Sequence, residues 1–245
     1  MNRMDVAEEF CLDNGLAVSV VTHLPIDSPG DWGRYLLTFD GKITAWRPEG
    51  DDPGESEDEE VGRLKAHLLR VDAASDDGCS VTDVFDSYSQ EIYDAFIEIF
   101  DPETCDFRPV VEKFVSEDLW AGSILYLESI EILPRYRGHG VGAVITQRFL
   151  ETYRTLFSLA LTKPYPLHPK KRQGLPRPDD SAWFGKMDYG SFAADDPSAA
   201  RKLSEHWGQL GFRQIPGLEH LVWTHFPEDT LGDDGIGEGA GMEAL

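Results

Sequence analysis

The chain has 245 residues, 41% of them apolar, enough for one large domain whose core needs no metal or disulfide staple. Forty-five acids against 22 bases leave a net charge of −23, which argues against general affinity for nucleic acid or anionic membrane, where basic patches supply the binding. Three scattered cysteines (Cys11, Cys79, Cys105) lack CxxC spacing and indicate neither a disulfide scaffold nor a zinc site, and no stretch nears the ~18 apolar residues of a membrane span, so the sequence reads as a cytoplasmic protein.

Leu16–Leu24 and Arg34–Phe39 read as strands. Glu49 to Glu60 then holds eight acids and no base, and is expected to be a disordered surface loop. Val61–Val71 reads as a further strand. A single amphipathic helix is expected over Val81–Phe100, with Val81, Val84, Phe85, Tyr88, Ile92, Phe96 and Ile99 at helical spacing and Ser80 and Asp83 resembling a capping box. Leu119–Leu133 reads as a long strand closed by Pro134.

A second helix places Val141, Val144, Ile145, Phe149, Tyr153 and Leu156 on one face. Ser158–Thr162 is a short strand, and residues 164–195 form a long inserted loop. Its start is basic: Lys163, Lys170, Lys171, Arg172 and Arg177 occur with no intervening acid. The segment KPYPLHPKKR either lines a substrate cleft, helps hold a 3′-phosphate, or is a proline-rich surface loop. Asp196-Pro197 caps a third helix that buries Ala200, Leu203, Trp207 and Leu210 and ends at Gly211. Leu218–His225 is the last strand, and residues 226–245 are an acidic flexible tail. The order is β-α-β-α-β in the second half. The fold class is α/β (α+β): one domain over residues 1–225, with a mixed central sheet flanked by helices.

The stretch that carries chemistry is Ile130 to Gly142, IEILPRYRGHGVG, between strand and helix. Gly138, Gly140 and Gly142 let the backbone turn sharply beside the unpaired N–H groups at a helix start, a geometry that cradles phosphate. Arg135 and Arg137 add charge. A dinucleotide fingerprint needs glycine at the strand end and an acid about 20 residues on, and a P-loop needs Gly-Lys-Ser/Thr; neither fits. The segment resembles the acetyl-CoA motif Arg/Gln-x-x-Gly-x-Gly/Ala of the GNAT superfamily of N-acetyltransferases, in two overlapping registers beginning at Arg135 and Arg137. A weaker similarity runs from about Ile124 to His225 and includes Leu210-Gly211-Phe212.

That resemblance implies two parallel strands that splay apart around the cofactor, with acetyl-CoA held at Ile132, Leu133, Arg135, Arg137, Gly138, His139, Gly140, Val141 and Gly142. Two departures stand out. The early helix follows three predicted strands, where the family usually places helices after the first. Trp207 occupies the position of the family's usual tyrosine, the acid toward the departing thiolate.

An amine acceptor must lose a proton before attack, which calls for a carboxylate or a water chain. Glu128 and Glu131 are the candidate catalytic residues. On a regular strand they face opposite sides, which a bulge would change, and Glu128 shares parity with Ile130 and Ile132. Apolar surroundings are expected to raise their pKa, unless one pairs with Arg135 or Arg137. His139 reads as a loop residue near phosphate, and His206 and Tyr189 are further candidate acids. No metal site and no Gly-x-Ser-x-Gly or His-Glu-x-x-His motif is present in the sequence. The expected activity is acetyl transfer to a primary amine of a cationic acceptor: a polyamine-like or aminoglycoside-like molecule, or a protein amine. The competing readings are an acyl-CoA-binding protein without turnover and an interaction protein working through its acidic segments.

Overall fold

A computed structural model describes residues 3–12, 16–25, 32–45, 59–114, 122–165, 178–188 and 197–224. The expected disorder at residues 49–58 and 226–245 falls outside them. Among the described residues, eight strands form one sheet in the order β1-β2-β3-β4-β5-β6-β8-β7. The strands β1 (Arg3–Leu12), β2 (Leu16–Pro25), β3 (Leu36–Ala45), β4 (Glu59–Leu69) and β5 (Ile124–Ile132) pair antiparallel in succession. Next, β6 (Leu159–Thr162) pairs parallel to β5, and β8 (Leu221–Thr224) joins β6 to the two-residue β7 (Arg213–Gln214). The sheet is mixed, as expected.

Strand alternation sends Val18, Val20, Phe39, Leu64, Leu125 and Leu127 to one face, where α5 (Val141–Tyr153) and α7 (Pro197–Gln209) cover them with Ile145, Phe149 and Trp207. The other face, with Leu69, Ile124, Tyr126, Leu161 and Val222, packs against α1 (Val71–Asp76), α2 (Val81–Asp86), α3 (Gln90–Ile99) and α4 (Pro109–Glu112). No described helix is long and apolar enough to cross a membrane.

Several expectations are corrected. Strand β1 lies where the sequence pattern predicts no element: Met4, Val6, Phe10 and Leu12 alternate, but the acids at Glu8 and Glu9 interrupt the pattern. Glu59 and Glu60, the end of the acidic run, belong to β4. The expected helix over Val81–Phe100 is two helices, because a second serine cap interrupts it. Ser80 accepts the Asp83 N–H at 3.3 Å, and Ser89 accepts the Ile92 N–H at 3.2 Å. Val144 and Leu156 are exposed rather than on the buried face. Within the expected 164–195 loop lies a helix, α6 (Pro178–Met187), whose Trp183 and Met187, one turn apart, are both buried. Acidity also concentrates in the helical layer: residues 71–112 hold twelve acids and one base.

Candidate active site

The parallel pair of β5 and β6 is short. It runs from Ile124 opposite Leu159 to Leu127 opposite Thr162, whose hydroxyl donates to the Leu127 carbonyl at 3.1 Å. Beyond Leu127, β5 continues to Ile132 paired with β4 alone, and the two parallel strands part. At that point β5 carries a bulge. Ala66 faces Leu127 and Lys65 faces Ser129, so Glu128 is the extra residue.

The bulge resets which way side chains point. Ile130 and Ile132 pack toward α5, while Glu128 meets Lys65 and His67, and Glu131 lies opposite Arg63. Arg63, Lys65 and His67 alternate along β4, so both glutamates stand on the same face. Glu128 therefore does not share the direction of Ile130 and Ile132.

Its environment also differs from the expected one. Glu128 Oε2 lies 2.7 Å from His67 Nε2 and 2.9 Å from Lys65 Nζ, and His67 Nδ1 is 3.2 Å from the Thr38 hydroxyl. Burial alone would raise the Glu128 pKa, but the His67 hydrogen bond and the Lys65 ammonium lower it to about 2. The expected rise does not occur. Glu131 is 2% exposed and accepts the Trp183 indole N–H at 2.5 Å; Arg63 lies over that indole, 4.4 Å from the ring centre. Glu128 pairs with Lys65 and His67 rather than with Arg135 or Arg137 among the described residues.

After β5 the chain makes a 3₁₀ turn at Pro134–Tyr136 and enters the glycines. Gly138 (φ 77°) and Gly140 (φ 75°) are left-handed, and a Cβ at either would meet nothing within 4 Å. Gly140 caps α5 without any side-chain bond to the first turn, so that turn's N–H groups keep no side-chain acceptor. Gly138, His139 and Gly140 are exposed, and Val141 opens the helix. A Cβ at Gly142 would lie 3.8 Å from Ile132 and 3.9 Å from Ile130, so the turn rests close on β5.

The two arginines have different duties. Arg137 Nε donates to the Ile132 carbonyl and Nη2 to the Met187 carbonyl, both at 2.7 Å, which braces the turn against α6. Arg135 stands beside the glycines in an ion pair with Glu59, which also accepts the Tyr136 hydroxyl at 3.0 Å. Leu133 is buried with Trp183 and Met187 rather than presented at the surface. Of the expected cofactor contacts, the glycine turn, His139 and Arg135 line one exposed corner, Val141 is buried in the core at the start of α5, and Ile132, Leu133 and Arg137 support the turn from below.

Trp207 packs edge-on to Phe212 at 5.1 Å within the core and carries no hydroxyl. His206 is exposed beside it, and Tyr189 lies outside the described residues. Sequence reasoning missed Thr38, Lys65, His67 and Tyr126. The polar Lys65 and His67 alternating with apolar Leu64, Ala66 and Leu68 were the available signal. No protein-family model matches this chain, and no curated protein or solved structure matches it.

Proposed function

We propose that the protein is an acetyl-CoA-dependent N-acetyltransferase of the GNAT type acting on a primary amine. The observation that carries this reading is the position of the exposed glycine turn: it heads α5 directly after the strand that parts from its parallel neighbour at a bulge. A phosphate group fits there. Two left-handed glycines with open space above them and a 13-residue helix without a side-chain cap offer N–H donors and the positive end of a dipole. Gly138, His139, Gly140, Val141 and Gly142 would hold the cofactor's pyrophosphate, with Arg135 adding charge.

Bound acetyl-CoA would supply a thioester whose carbonyl carbon is attacked by the amine as the C–S bond breaks. The chain's own residues prepare the acceptor. A carboxyl held at about 2 is a weak base at neutral pH, so Glu128 acts as fixed charge that attracts the acceptor, and solvent takes the proton. Glu131, covered by Trp183, is withdrawn from the acceptor in this conformation. A second reading, an acyl-CoA-binding protein without turnover, is favoured by Trp207, which offers no hydroxyl to the departing thiolate.

The test is calorimetry with acetyl-CoA on the wild-type chain and on Gly140→Asp, which adds a Cβ at positive φ and a negative charge to the turn. Binding by the wild type and at least a hundredfold weaker binding by the variant are expected. Equal affinities would remove the site, and no binding by the wild type would remove the function. With binding established, product formation against a panel of amines separates the transferase from the binding protein.

A further inference from the structure

Thr38, His67 and Glu128 stand on three adjacent strands. Thr38 on β3 lies directly opposite His67 on β4, and His67 in turn lies opposite Tyr126 on β5. Glu128, the bulged residue of β5, follows two residues after Tyr126. The His67 ring meets both polar neighbours: Nδ1 is 3.2 Å from the Thr38 hydroxyl, and Nε2 is 2.7 Å from Glu128 Oε2. Tyr126 stacks on the imidazole at 6.4 Å and limits how it can turn. Lys65, 2.9 Å from the same carboxylate oxygen, braces Glu128.

These contacts fix which nitrogen carries the proton. Burial alone would raise the Glu128 pKa, but His67 and Lys65 bring it to about 2, so at neutral pH the carboxylate is ionised and only accepts. Nε2 therefore donates to it. In the neutral ring that leaves Nδ1 as the acceptor, and the Thr38 hydroxyl donates to Nδ1. A hydroxyl whose proton points at an imidazole, itself oriented by a carboxylate on the far nitrogen, is the arrangement that makes an alcohol nucleophilic. The His67 side chain is 8% exposed, whereas Thr38 is half-buried, so a substrate can approach the hydroxyl and not the ring.

We propose that Thr38 is an acyl-accepting nucleophile, with His67 as its general base and Glu128 as the residue that positions His67, and that the fitting substrate is a small-acyl ester or thioester. The bond from Thr38 Oγ1 to the acyl carbon forms as the bond from that carbon to the leaving oxygen or sulfur breaks. The hydroxyl proton passes to His67 Nδ1 and from there to the leaving group. Water then adds to the Thr38 ester. Its proton goes to Nδ1 and returns to Oγ1 as the ester bond breaks and the carboxylic acid leaves. This activity needs no cofactor at the glycine turn, so it does not rest on the transferase reading.

The test is hydrolysis of p-nitrophenyl acetate by the full chain without acetyl-CoA, with intact mass and peptide mapping of acid-quenched samples. The wild type releases nitrophenolate in a burst and carries one acetyl group, as a hydroxylamine-labile ester, on Thr38. Thr38→Val, which keeps the branched side chain and removes the hydroxyl, loses the adduct and about a hundredfold or more in rate, while Thr38→Ser stays within about tenfold of wild type. His67→Gln also loses about a hundredfold or more. Glu128→Gln lowers kcat about tenfold with KM unchanged, and circular dichroism checks that each variant is folded. Should His67→Gln fail to fold, the two Thr38 variants carry the test. Acetyl groups on lysines alone, full turnover by Thr38→Val, or acylation of Thr38 that His67→Gln leaves unchanged overturns the proposal. A Glu128→Gln loss carried by KM alone overturns the positioning role. Thr38 acylation in a chain that does not bind acetyl-CoA leaves this activity standing and removes the transferase reading; acetyl-CoA binding without Thr38 acylation does the reverse.

Discussion

Replacing Glu128 by glutamine isolates what the bulge carboxylate contributes. Its pKa falls from 4.5 to about 2 because His67 and Lys65 outweigh the cost of burial. At about 1.4 kcal/mol per unit that depression corresponds to about 3 kcal/mol of folding stability. The side chain is 21% exposed, so solvent screening leaves most of this in place. The glutamine amide oxygen still accepts one hydrogen bond, which recovers about 1 kcal/mol. Glu128→Gln should therefore be about 2 kcal/mol less stable at pH 7. The sign with pH is fixed by the direction of the shift. A carboxyl whose folded value lies below its unfolded value stabilises fully above pH 4.5 and loses that contribution as pH falls toward 2. Wild type and variant should converge on acidification. Urea denaturation followed by circular dichroism at pH 7, 5, 4 and 3 measures the gap. A gap below about 0.5 kcal/mol at pH 7, or one that stays constant down to pH 3, would refute the coupling of Glu128 to Lys65 and His67.

Two further substitutions probe the scaffold behind the site. At Gly62 on β4, a Cβ would lie 2.6 Å from the Glu131 carbonyl oxygen and 2.8 Å from Ile132 and Ile43, so Gly62→Ala should cost about 1–3 kcal/mol. Gly185→Ala on α6, where a Cβ meets nothing within 4 Å, should be neutral or stabilising by up to about 1 kcal/mol. Equal melting temperatures for the two variants would contradict the close approach of β4 and β5. Trp183→Phe removes the indole donor to Glu131 and should cost about 1–3 kcal/mol while speeding amide exchange over Pro178–Met187. Unchanged exchange there would show that α6 is held by its apolar contacts alone.

The parts of this molecule that were legible in the sequence are those written by neighbouring residues. The glycine turn and α5 are adjacent in the chain, and a left-handed Gly140 before an apolar helical stripe needs no distant partner to be recognised. The Ser89 cap is local as well, but Tyr88, Ile92 and Phe96 continue the apolar period across the break and conceal it. Glu128 is a different case. Counting by twos from Ile130 places it with the α5 face, and nothing within β5 contradicts that count. The contradiction comes from β4, some sixty residues earlier, where Lys65 and Ala66 pair with Ser129 and Leu127 and leave Glu128 over. A strand's alternation is a property of one chain segment, whereas a bulge belongs to a pair of strands. For the same reason His67, Lys65 and Tyr126 could not be gathered from spacing, although each was visible as a polar or aromatic side chain in an apolar strand. What distinguishes them is that the register puts His67 directly opposite Tyr126, with Glu128 one step beyond on the same face. The local motif marks the glycine turn where the proposed cofactor would bind, and the pairing of distant strands decides which side chains stand at the other end of β5.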